Sequence, residues 1–100
     1  MQRYDLTLKK HYTPDGRLLL AICDSELLGK RFSEGNLQLD LRPGFYQGKQ
    51  MAEADALRLM HAASIVHVVG KRSVAALKKA GYTVAPLSID GVPHAQLVLL

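Results

Sequence analysis

Four cations stand at a spacing suited to phosphate. At about 100° of helical rotation per residue, Lys71, Arg72, Lys78 and Lys79 fall within an arc of about 120°. Val74, Leu77 and Ala80 take the other side of the same helix. One face would then dock on the protein while the opposite face offers positive charge to a nucleic-acid backbone. An ordinary solvated helix has the same pattern, because basic residues are favoured near a helix C-terminus.

A second segment with chemical character is Gly91-Val92-Pro93-His94-Ala95-Gln96. Pro93 restricts the backbone, so His94 and Gln96 would bring an imidazole and an amide to a strand entrance. With Gln96, Asp90 or Cys23 nearby, His94 is the candidate proton donor or acceptor of a small-ligand or enzyme site. As a structural residue it needs only a backbone carbonyl for a partner. Cys23-Asp24 shows no third orienting group and no oxyanion loop, and a cysteine that ends an apolar strand belongs to a core. His11, His61, His67 and His94 lack the i,i+4 pairing of a metal-binding helix, so no metal is expected. No Walker-type or dinucleotide glycine loop occurs, and no cofactor is expected.

These groups need a scaffold, and hydrophobic periodicity supplies it. Tyr4, Leu6 and Leu8 alternate with polar residues as a strand buried on one face. Thr13-Pro14-Asp15-Gly16 makes a turn, and residues 17–23 return as an apolar strand. Residues 24–29 read as one helical turn or a compact loop. Residues 30–33 and 37–41 flank Glu34-Gly35-Asn36 as a second hairpin. Phe45-Tyr46-Gln47, between Pro43-Gly44 and Gly48, is a non-repetitive connection presenting two aromatics. Ala56, Leu59, Met60, Ala63 and Val66 share one helical face and predict a helix over residues 52–64. The run Ile65-Val66-His67-Val68-Val69 suits either the end of that helix or a buried strand. A second helix is predicted over residues 72–80, followed by terminal strands over 82–87 and 95–100 that are separated by a turn at Asp90-Gly91. The expected fold is α+β: a mostly antiparallel sheet of about five or six strands, packed with two principal helices. Residues 1–100 are expected to form a single domain.

The chain has 100 residues, 48% of them hydrophobic, with a formal net charge of +4 and a single cysteine, Cys23. One cysteine forms no internal disulfide framework and no thiolate zinc cluster. The longest apolar run, residues 18–23, is far short of a membrane span, and Met1-Gln2-Arg3-Tyr4-Asp5 lacks the pattern of a signal peptide. A cytoplasmic protein away from the membrane is therefore expected. The positive excess lies towards the C-terminus, where Arg58, Lys71, Arg72, Lys78 and Lys79 face only Asp90, and it points to an anionic partner.

Residues 66–77 resemble the second half of a helix-hairpin-helix motif, departing from it where Val68 replaces the first glycine. The resemblance implies that Gly70 lets backbone N–H groups at the helix start approach a nucleic-acid phosphate. At whole-chain level the sequence resembles the archaeal "domain of unknown function 424" family. The residues that carry this are Ala21-Ile22-Cys23-Asp24-Ser25-Glu26-Leu27-Leu28-Gly29-Lys30, Phe32-Ser33-Glu34-Gly35, Phe45-Tyr46-Gln47-Gly48, Val68-Val69-Gly70 and Gly91-Val92-Pro93-His94-Ala95-Gln96. That resemblance implies an archaeal cytoplasmic protein, with an association to translation or RNA handling, and carries over no catalytic residue. The resulting expectation is an RNA-associated or ribosome-linked protein contacting phosphates through Gly70, Lys71, Arg72, Lys78 and Lys79. The rival expectation is a protein-interaction module or homodimer using Phe45, Tyr46 and a sheet edge.

Overall fold

The computed structural model describes residues 5–99. Tyr4, placed above in the first strand, and Leu100, placed in the last, lie outside the described residues.

The apolar run of residues 18–23 becomes the centre of the fold. Strands β1 (Leu6–Tyr12) and β2 (Leu18–Asp24) form the first hairpin, with Thr7 opposite Cys23 and His11 opposite Leu19. In β2, Leu20 through Asp24 are all buried, which explains why its apolar residues run on without alternation: both faces of this strand are covered. A single 3-10 turn, Ser25–Leu27, leads into the second hairpin, β3 (Arg31–Glu34) and β4 (Leu37–Asp40), which stands as its own small sheet. Helix α1 (Pro43–Tyr46) is one turn long and starts on a proline, whose missing N–H costs nothing there. Short strand β5 (Lys49–Met51) pairs with Leu6, Thr7 and Leu8 at the outer side of β1.

Helix α2 (Glu53–Met60) opens with Glu53 and Asp55, which complement the positive end of its dipole. The β-branched run that follows is strand β6 (Ile65–Val69), parallel to β2 with His67 opposite Ala21. Helix α3 (Lys71–Lys79) comes next, and the chain closes with β7 (Leu87–Ile89) and β8 (Val92–Val98) around the two-residue turn Asp90-Gly91. The main sheet runs β5-β1-β2-β6-β8-β7 and is antiparallel except at β2/β6. The fold is α+β, as expected.

The sheet has two unlike faces. Leu6, Leu8, Leu20, Ile22, Val66 and Val68 lie beneath α2 and α3, against Ala56, Met60, Val74, Ala76 and Leu77. On the reverse, Ala21, Cys23 and Val69 meet Leu39, Leu41, Tyr46 and Ile89 from β4, the connection after it, α1 and β7. That second cover is partial: Val98, at the open end of the same face, remains 55% exposed. Residues 82–86 are irregular rather than a strand. Tyr82 and Val84 pack on the helical layer, and Pro86 has no N–H to give a ladder. Among the described residues no helix is long and apolar enough to cross a membrane.

Candidate nucleic-acid interface

Residue alternation along two strands, with α1 laid against them, assembles a cluster of rings on the half-covered face. His11 comes from β1, His67 from β6, and Phe45 and Tyr46 from α1. The single helical turn of α1 points its two aromatics differently, leaving Tyr46 4% exposed and Phe45 37% exposed. Phe45 stacks on His11 with centroids 4.6 Å apart and planes 18° from parallel. His11 Nε2–H donates to the Phe45 carbonyl at 2.8 Å, and because a carbonyl only accepts, this bond fixes the proton on Nε2. Phe45 also meets the His67 ring edge-on at 6.1 Å and Tyr46 edge-on at 5.0 Å.

His67 stands directly across from Gln96 in β8, and the two side chains are hydrogen-bonded. Burial lowers the pKa of His67 below its ordinary 6.5; the neighbouring His94 lowers it further, and the Gln96 bond partly offsets both. The ring is therefore neutral at pH 7, a flat heteroaromatic with one donor and one acceptor. Burial first, and then the neighbouring Cys23 and Asp40, push Tyr46 up to about 12, so its phenol stays protonated. Aromatic and neutral imidazole rings on an accessible sheet face can stack on another flat ring, as single-stranded nucleic-acid binders do with bases.

Residues singled out in the sequence are divided among several places. His94 and Gln96 share the ring-bearing face, with Gln96 exposed and His94 half-buried. The Nδ1 atom of His94 is buried without a hydrogen-bond partner among the described residues. Cys23 lies in register with Val69 and, one strand further, with His94, so β6 separates thiol from imidazole by two strand spacings, about 10 Å. Burial, then the carboxylates of Asp24 and Glu26, push the Cys23 thiol up to about 12, leaving no thiolate at neutral pH. Asp90 sits in the exposed turn, where its N–H donates to Glu34 Oε1 at 2.9 Å. Among the described residues no three His, Cys, Asp or Glu side chains are grouped to hold a metal ion.

The cationic helix lies on the opposite layer. Lys71 and Lys78 are exposed and form no ion pair among the described residues, whereas Arg72 pairs with Glu26 at 2.5 Å and Lys79 with Glu53 at 2.9 Å. Gly70 adopts φ +109, and a Cβ on it would lie 2.3 to 2.6 Å from the carboxyl atoms of Asp24. The glycine thus admits a carboxylate to the helix start. The N–H groups of Arg72 and Ser73 donate to Asp24 at 3.1 and 2.8 Å, so those amides are already engaged within the chain.

Neither His67 nor His11 stood out in the sequence except as a metal ligand to be dismissed. What joins them to Phe45 and Gln96 is strand order, which no local spacing records.

No curated protein matches the chain. A crystal structure of an uncharacterized conserved protein from Methanopyrus kandleri is similar to it, with a TM-score of 0.83 and 26% identity, over 95% of this chain and 91% of that one. The pattern of the family described as "Protein of unknown function (DUF424)" matches residues 11–100, and the chain belongs to that family.

Proposed function

We propose that the protein is a cytoplasmic RNA-associated protein, linked to translation or the ribosome, that stacks unpaired bases on the His11–Phe45–His67 cluster. One observation carries the reading: Phe45 remains 37% exposed while its ring is braced by imidazoles from two different strands. A ring fixed in this way loses little conformational freedom when a base stacks on it. Lys71 and Lys78, with Arg72 and Lys79 once their carboxylate partners yield, add phosphate contacts on the helical layer next to Gly70. Base–aromatic stacking is worth about 1–3 kcal/mol per base, so Phe45→Ala should weaken single-stranded RNA binding about tenfold. Titration with a labelled single-stranded RNA at low and moderate salt is the test. Absence of affinity at low salt rejects the reading.

A second reading, self-association or a protein partner, draws on Leu87, 70% exposed on the edge strand β7. Tyr46 is spent inside its own fold and has little surface to offer a partner. Light scattering separates this reading from the first, since a monomer at high concentration counts against a homodimer.

A further inference from the structure

A concavity of about 690 Å³ lies at the β5 edge of the sheet between β1, β5 and α2, and none of its lining residues comes from the ring cluster or α3. Lys9 and Lys10 of β1, Lys49 of β5 and Arg58 of α2 line it, with Asp55 the one carboxylate among them. Asp55 is paired with Arg58. Sequence counting hides this patch, because the first 55 residues hold equal numbers of acids and bases. The fold separates them. Asp15 is held by Arg17, Asp24 by the start of α3, Glu26 by Arg72, Asp40 by Arg31 and Arg42, and Glu53 by Lys79. Lys10 and Lys49 are left facing the groove without an acidic partner among the described residues.

We infer that this groove is the track for the sugar-phosphate backbone of single-stranded RNA; the inference rests on the proposed base platform and extends it. Leu8, Met51 and Leu59 form apolar walls, which strengthen the field of cations placed beside them. Strand β1 links groove and rings around the sheet edge, with Lys10 and Lys49 on the helical-layer face and His11 on the reverse. Lys9 Nζ donates to the carbonyl of Gly44 at 2.7 Å, next to Phe45, and His11 follows two residues later on the same face. At the boundary, a Cβ on Gly48 would stand 2.2 Å from the Leu8 carbonyl oxygen, so the chain there lies flush against β1. The unpaired cations of the groove are the feature that attracts an anionic partner.

The test uses the full chain with two probes: a labelled single-stranded RNA and a base-free sugar-phosphate oligomer of the same length. The doubly substituted Lys10→Gln, Lys49→Gln protein should bind both probes at least tenfold more weakly, with a log–log salt slope smaller by about 1.4 for two lost phosphate contacts. Phe45→Ala should weaken the RNA alone. If the lysine pair leaves both affinities unchanged while Lys71→Gln, Lys78→Gln abolishes them, the track lies on α3 and the inference is overturned. If Phe45→Ala has no effect but the Lys10, Lys49 variant does, the groove stands and the base platform fails. Absence of binding by either probe at low salt overturns both. An unchanged melting temperature shows that each variant is folded.

Discussion

Asp24 and Ser73 are joined by two hydrogen bonds that converge on one carboxylate oxygen: the Ser73 N–H and Oγ–H each donate to Asp24 Oδ1 at 2.8 Å, across 49 residues of sequence. With Arg72 N–H on the other oxygen, this 4% exposed carboxylate caps α3 from the end of β2 and fastens the helix to the parallel strand pair. The helix dipole and three donors compensate the buried charge.

Asp24→Ala should therefore cost about 3 kcal/mol, since it strands buried donors that lose a charged acceptor. Asp24→Asn keeps one acceptor oxygen and should cost about half as much. Urea unfolding monitored by circular dichroism measures both, and a loss below about 1 kcal/mol for Asp24→Ala would show that the cap does not hold the helix.

Gly70→Ala places a methyl group onto that carboxylate, 2.3 Å from its Cγ, at a φ of +109 that L-residues avoid. The combined clash and backbone strain should destabilise by about 2–4 kcal/mol. Pairing it with Asp24→Ala in a double-mutant cycle should recover part of the loss, because the truncated side chain makes room. Strict additivity would mean that the two positions do not meet in this way.

The lowered pKa of His67 makes stability depend on pH. Below 6.5 the unfolded chain takes up a proton that the buried ring resists, so the contribution is intact above 6.5 and is lost as pH falls through the lower native pKa. Melting temperature should fall between about pH 7 and pH 5 in the native protein. His67→Gln should flatten the slope in that window; an unaltered slope would place the titrating group elsewhere.

Sequence periodicity reached as far as the elements it governs. Both hairpins, α2, α3 and the Asp90-Gly91 turn were legible because turn residues and apolar spacing act over a few positions. Ile65–Val69 was open between helix and strand, and parallel pairing with β2 decides it. Lys49–Met51 is too short to show a period and is a strand only because β1 offers an edge. Residues 82–86 alternate as a strand would, yet their apolar side chains are satisfied by the helical layer. The candidate site was the least legible part. His94, Gln96, Lys71 and Lys78 could be named from local context, but the meeting of His11, Phe45 and His67 depends on β1 and β6 flanking β2, a relation between segments more than fifty residues apart.

Proton NMR of the full chain during titration with a short single-stranded RNA reads the base platform itself. If bases stack on Phe45, the ring resonances of Phe45, His11 and His67 should move upfield together, with intermolecular contacts from base protons to the Phe45 ring, and Phe45→Ala should remove them. Shifts confined to α3 around Lys71 and Lys78, with the three rings unmoved at saturating RNA, would contradict the account.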